Sequence, residues 1–294
     1  MPSAFFERIL TGSAIARRNF GACEWNNRIL ISGGQSVAGV TLNDVWESFD
    51  GVNWNRLATG INSFSARSSH VMIVHNNRIY VIGGYDGSGY LSDVWMSMDG
   101  KNWERIVNNA FTARDDHCVF SLGPRLYLTG GDAGGAPFTD VWMSYDGIVW
   151  DRIMNNYTRL QRTVAVQAVF NNRMHVISGY DGTNRLDTST NSVDGINWEI
   201  TGSSCGLPEY DDGAAEVFDN RIVVSGGYNG SAMSCLYYSE DGEKWILGTA
   251  NMGFSVYQHK MVALKNPNRL FLLFGYEGQS VLTSVWMSTG NFIS

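Results

Sequence analysis

The stretch Ser97-Met98-Asp99-Gly100-Lys101-Asn102-Trp103 decides how this chain folds. Asp-Gly is tight-turn chemistry: Gly adopts a positive φ without steric cost, and Asp accepts hydrogen bonds from the turn amides. The Trp three positions after the Gly recurs as Trp54, Trp103, Trp150, Trp198 and Trp245, at spacings of 47 to 49 residues. Gly51, Gly100, Gly147, Gly195 and Gly242 precede these, each behind an Asp (Asp50, Asp99, Asp146, Asp194, Asp241). A second marker opens the middle of each unit: Gly33-Gly34, Gly83-Gly84, Gly130-Gly131, Ser178-Gly179, Gly226-Gly227 and Phe274-Gly275. A fixed period of this length identifies a repeat architecture, here six units of about 48 residues.

Each unit reads as four short strands. In the second they are His70–Val74, Arg78–Gly83, Ser92–Met98 and Asn102–Val107. Asn-Asn or Asp-Asn pairs mark the first turn at Asn26-Asn27, Asn76-Asn77, Asn171-Asn172 and Asp219-Asn220, residues that tolerate left-handed backbone. No stretch sustains a 3.6-residue apolar period, so few helices are expected. Four antiparallel strands repeated six times predict an all-β, six-bladed β-propeller in one domain, residues 1–294. The blades fall at about 16–58, 66–107, 113–154, 161–202, 209–249 and 256–294, the last completed by residues 3–10. Phe6-Glu7-Arg8-Ile9 matches Trp103-Glu104-Arg105-Ile106 and lies one repeat before Trp54. The N-terminal strand is therefore expected to close the ring. In the Asp-Gly-x-x-Trp turn, the Trp is expected to wedge between blades.

Composition excludes several classes. There are 21 Lys and Arg against 28 Asp and Glu, a formal net charge of −7. No basic stripe is present to neutralise phosphates, so no nucleic-acid partner is expected. No run of 18 apolar residues spans a membrane, and MPSAFFERIL lacks the features of a secretory signal, which points to a cytoplasmic monomer. Cys23, Cys118, Cys205 and Cys235 lie far apart and read as buried or partly buried thiols rather than a disulfide or zinc framework. Neither a metal nor another cofactor is expected.

These features resemble the kelch repeat over essentially the whole chain. The resemblance rests on the diglycine after the second strand, on an aromatic in the third strand (Trp46, Trp95, Trp142, Trp286) and on the Trp near the fourth. An Arg opens the first strand at Arg17, Arg67, Arg114 and Arg162; Asp211 and Gln258 stand there in units five and six, and Thr190 replaces the third-strand aromatic in unit four. The Ser-Phe-Asp-Gly turn also looks like the Asp box of sialidase-type propellers. Kelch-like propellers include ubiquitin-ligase adaptors, actin binders, a copper oxidase and a sialic-acid mutarotase, so the resemblance implies a fold but names no function.

What it does imply is a mouth built from the two residues after the opening Arg position and from the loop after the diglycine. The first set is Arg18 and Asn19, Ser68 and Ser69, Asp115 and Asp116, Thr163 and Val164, Asp212 and Gly213, His259 and Lys260. The second begins Gln35, Tyr85, Asp132, Tyr180, Tyr228 and Tyr276, followed by Ser36, Asp86, Ala133, Asp181, Asn229 and Glu277. Repeated Tyr-Asp-Gly at Tyr85 and Tyr180 suits a plain turn. Asp115, Asp116, Asp132 and Asp212 are not shared among units and suit a ligand site. The candidate binding set is Arg18, Tyr85, Asp115, Asp116, Asp132, Tyr180, Asp212, Tyr228, His259 and Tyr276. Aromatic faces and converging carboxylates favour cationic or hydroxyl-rich ligands. The opening Arg residues read as architectural ties, with a cationic ring for an anion as the other possibility.

The first functional reading is a binding module that engages a protein segment or small ligand at this mouth. The alternative is a sugar mutarotase or a lectin; for the former Asp115, Asp116, Glu209, Asp212 and His259 are the acid and base candidates, with Arg18 as a carboxylate clamp. A copper oxidase is disfavoured, since its site needs converging Tyr and His. His70 and His117 occupy the usual first-strand position and read as core, and His75 and His175 fall away from the mouth.

Overall fold

The computed structural model describes residues 5–57, 63–201 and 206–289. The strand alternation written into each unit produces six four-stranded antiparallel sheets. Their innermost strands are Gly21–Glu24, Val71–His75, Asp115–Leu122, Val166–Phe170, Ala214–Phe218 and Lys260–Lys265. These contact one another in sequence, and Lys260–Lys265 returns to Gly21–Glu24, so the ring is closed. The outermost strand of blade six is the N-terminal Phe6–Leu10, paired antiparallel with Val285–Ser288 through Phe6↔Ser288, Glu7↔Met287 and Arg8↔Trp286. Among the described residues the single helical element is the 3₁₀ turn Thr158–Leu160. Cys23, Cys118 and Cys235 are free thiols; Cys205 lies outside the described residues.

The Asp-Gly-x-x-Trp turn behaves as its residues demand. Asp99 Oδ1 accepts the backbone N–H groups of Lys101 and Asn102 at 2.8 Å, and Asn102 Nδ2 donates to Asp99 Oδ2. Burial pushes the Asp99 carboxyl up, but these donors outweigh it and hold it at about 2. Gly100 has φ 74°, and a Cβ there would stand 3.1 Å from Leu57 of the preceding blade. Trp103 Nε1 donates to the Gly100 carbonyl, and its ring meets Phe64 edge-on at 5.2 Å in the core between blades one and two. The core is a set of such inter-blade layers.

Two further devices join the blades. Asn19, Ser69, Asp116, Val164, Asp212 and Gln258, each at or just before the start of an innermost strand, all take φ between 47° and 55°. Each donates its backbone N–H to the carbonyl of its counterpart one blade back, at 2.8–3.2 Å, with Asn19 donating to Gln258. The six bonds form a closed collar around the axis. Val164, a β-branched residue, holds a positive φ that it would not adopt alone.

The second device is the opening Arg. The guanidinium groups of Arg17, Arg67 and Arg114 donate to the carbonyls of Gly33, Gly83 and Gly130, and pair with Asp44, Asp93 and Asp140 at 2.7 Å. Each Asp also accepts from a third-strand indole, of Trp46, Trp95 or Trp142. This is the tie within a blade that the sequence pattern suggested.

The equivalent positions in blades five and six are corrections. The carbonyls that receive the N–H of the second Gly of each preceding diglycine belong to Arg67, Arg114, Arg162, Tyr210, Val256 and Arg17. Tyr210 and Val256, not Asp211 and Gln258, therefore replace the Arg. The Asp is lost with it, since Cys235 and Ser284 occupy its place next to Leu236 and Val285. Blade four keeps Arg162 but has Thr188 where the Asp would be. Arg162 leans instead on the carbonyls of Ser178, Thr188 and Arg159. Burial without a carboxylate pushes its guanidinium down to about 10.

Two outcomes are expected. Deleting residues 1–10 removes the strand that carries buried Phe6 and lowers the melting temperature by more than about 5 °C; an unchanged melting curve would contradict closure by this strand. Asp140→Asn strands the buried Arg114 and costs about 3–5 kcal/mol in chemical denaturation, whereas Thr188→Asp supplies Arg162 with its missing counter-charge and raises stability.

Candidate functional site

The mouth is the end of the ring where each first strand begins and each second strand ends. Cross-strand pairing sets its residues side by side: Arg18 with Gln35, Ser68 with Tyr85, Asp115 with Asp132, Thr163 with Tyr180, Asp211 with Tyr228, and Tyr257 with Tyr276. One ring thus presents two hydroxyl–aromatic pairs, one aromatic–aromatic pair, one aromatic–acid pair, one acid–acid pair and one basic pair. Like charges directly opposite each other on a ladder are unfavourable, so Asp115 and Asp132 form the most strained pairing.

Aromatic rings line two sides. Tyr228, Tyr257 and Tyr276 run in series with centroids 5.1 and 5.4 Å apart, and Arg18 lies over Tyr276 at 4.6 Å. Arg185 lies over Tyr228 at 4.7 Å while pairing with Asp211 at 2.9 Å. Across the mouth Tyr85 packs on Tyr90 at 5.1 Å. The floor is the collar, where Asn19, Ser69, Asp116, Asp212 and Gln258 surround a cavity of about 60 Å³. Gln258 accepts from Arg18 and donates to Asp212, linking blades one, six and five.

The carboxylates here carry too little counter-charge. Burial, then Asp116 and Asp132, push Asp115 up to about 8. Burial, then Asp116 and Asp211, push Asp212 up to about 8 against the pull of Gln258 and Lys260. Asp116 rises to about 6, chiefly by burial, with Ser69 and Lys260 drawing it back. Lys260 sits just below the collar and is itself pushed down by burial, with Asp116 and Asp212 opposing. Such a site attracts protons or a cation.

Of the residues singled out in the sequence, Arg18, Tyr85, Asp115, Asp116, Asp132, Tyr180, Asp212, Tyr228 and Tyr276 do lie at the mouth or collar. Asp132 has a second task, since its Oδ1 caps the Gly134 amide at 2.7 Å. Asp86 and Asp181 cap their own turns through Ser88 and Gly89, and through Thr183 and Asn184. Two candidates are displaced. His259 is buried behind the collar, bonded through Nε2 to Ser225 Oγ at 2.8 Å and pushed by burial down to about 3. It is the counterpart of His70 and His117, not a mouth residue. Glu209 is exposed and lies outside the residues that line the collar or the channel. Of the five acid–base candidates Asp115, Asp116 and Asp212 come together, His259 lines the wall of the collar cavity beside Asp116 and Asp212, and Glu209 lies apart.

Asp211, Tyr257, Tyr90 and Arg185 belong to the mouth and were not expected there. Counting would have found the first. The first residue of the inner hairpin turn lies nine positions after the opening residue in Arg17/Asn26, Arg67/Asn76 and Arg162/Asn171, and the same count gives Tyr210/Asp219; in blade six the strand is one residue longer, the turn begins at Asn266, and the count fails. Tyr90 and Arg185 sit beyond the diglycine loops, where the units differ in length and no periodicity applies.

Among the described residues no group of three or more His, Cys, Asp or Glu is placed to hold a metal ion, and no helix is long and apolar enough to cross a membrane. A family model described as the KLHDC2/KLHL20/DRC7 Kelch-repeats domain matches residues 9–179. No curated protein matches the chain.

The raised carboxyls make stability depend on pH with a definite sign. A folded-state value above the unfolded one means that the folded chain binds more protons, so stability falls as pH rises from about 4 through 8. Buried His70, His75, His117, His175 and His259 are held below the usual imidazole value and act in the opposite direction up to about pH 7, so the melting temperature is expected to drop between pH 7 and pH 9. Asp212→Asn should flatten that slope; an unaltered slope would contradict the charge crowding.

Proposed function

Because the chain belongs to the kelch-repeat family, whose propellers generally serve as protein-binding modules, we propose that it grips a segment of a partner protein in this mouth, through a basic or hydrogen-bond-donating side chain. The observation that carries the reading is the under-neutralised carboxylate group of Asp115, Asp116 and Asp212 at the floor of an aromatic cup. A cation entering the cup replaces protons that these groups otherwise hold, and meets tyrosine faces on the way in. The rigid collar keeps the acceptors in place, so little ordering cost opposes binding.

The mouth also differs from blade to blade, as a single asymmetric ligand requires. The aromatic side (blades five and six) faces the acidic blade three, with Arg18 beside the former and able to donate to a backbone carbonyl or carboxylate of the same segment.

Selection from a random peptide display library tests this. Enriched peptides are expected to share a Lys or Arg flanked by apolar residues. The Asp115→Asn/Asp212→Asn double variant should bind them ~10-fold or more weakly, with salt sensitivity reduced. Enrichment of acidic peptides, or equal binding by the double variant, would overturn the reading.

A further inference from the structure

Below the collar the axis opens into a second space that the mouth does not use. It is a cavity of about 390 Å³ between the six innermost strands. Apolar side chains share its lining with Cys23, Ser121, Gln167, His70 and His117, and its charged groups stand at two levels of opposite sign.

At the upper level stands Lys260. It lines both the collar and the channel, and it forms no ion pair with a described residue. Its charge is felt by His70 and His117 on blades two and three, and by Asp116 and Asp212 on blades three and five. A charge from blade six that reaches three other blades lies near the axis. His70 and His117 are held neutral by burial, so Lys260 is the sole cation there among the described residues lining the channel.

At the lower level stand Glu216 and Glu24, from blades five and one. Glu216 accepts the backbone N–H groups of Val217 and Ala263, and Glu24 lies close enough to push it up further. Neither carboxylate has an ion pair among the described residues. Ala263 is three residues beyond Lys260 on the same strand, so the backbone at the two levels is about 10 Å apart. The cation and the carboxylates line one cavity with no ion pair between them.

We propose that this channel is a second binding site, for a small amino-acid zwitterion that sets its carboxylate on Lys260 and its ammonium on Glu216 and Glu24. An α-amino acid carries its charges about 3 Å apart, and one hydrogen bond of ~2.8 Å at each end brings the span to roughly 9 Å. The volume holds such a ligand with room for a side chain and water. Asp116 and Asp212 above Lys260 compete for its charge, so the ligand carboxylate takes up the side of the ammonium that faces down the channel.

Isothermal titration of the purified chain with L-alanine, L-serine, L-leucine and L-glutamine tests the site, using each one's amide and N-acetyl derivative as controls. At least one free amino acid is expected to bind, and blocking either end to weaken it ~10-fold or more. Lys260→Met and Glu216→Gln should each do the same while keeping a cooperative melt. No binding at about 10 mM, equal binding of the blocked derivatives, or retention by both variants would overturn the proposal. Should either variant fail to fold, the derivative series on the unaltered chain decides alone.

Discussion

The collar of six backbone hydrogen bonds is the constraint from which the rest follows. Each bond has its donor in left-handed conformation, with the N–H turned sideways toward the preceding blade. The strain of φ near 50° at non-glycine residues is small singly, and closure makes each bond support the others. The collar fixes where every first strand starts, how wide the axis is, and which side chains stand on the floor of the mouth. It also separates the mouth from the channel, leaving only a cavity of about 60 Å³ between them.

Around that ring the blades are held by chemistry of two kinds. The Asp-Gly-x-x-Trp turn recurs in five blades and satisfies its own polar groups locally. The Arg–Asp–Trp tie is present in three blades, incomplete in the fourth and absent in the fifth and sixth. Where the tie is gone, Tyr210 and Val256 fill the space as part of the apolar core, and Tyr257 and Tyr228 crowd the mouth. The ring thus varies most on the side where ligand-facing aromatics gather.

Charge follows a similar logic. Turn carboxylates such as Asp99 are stabilised as anions by fixed amides and contribute to the net charge of −7 without reactivity. The carboxylates of the mouth and channel have few donors, and one lysine answers several of them. An identical residue type is inert in one place and poised in the other because burial, neighbouring carboxylates and hydrogen-bond supply differ.

Repeat number, strand count, turn chemistry and closure by Phe6–Leu10 were legible in the sequence. Each depends on contacts within one hairpin or on matching one unit against the next, and the spacing of Asp, Gly and Trp records those contacts directly. The mouth was legible where the opening Arg survived, at Arg18, Asp115 and Asp116. It was misread by one residue in blade five and two in blade six, because Asp211 and Gln258 were aligned to an Arg that Tyr210 and Val256 had replaced. That slip put His259 on the surface when it is core, and hid Asp211 and Tyr257. Only the tertiary structure decided the register of those blades, the position of Lys260 near the axis and the meeting of Glu24 with Glu216. These depend on backbone bonds and Coulomb forces between residues that lie tens to hundreds of positions apart, for which one sequence carries no local mark.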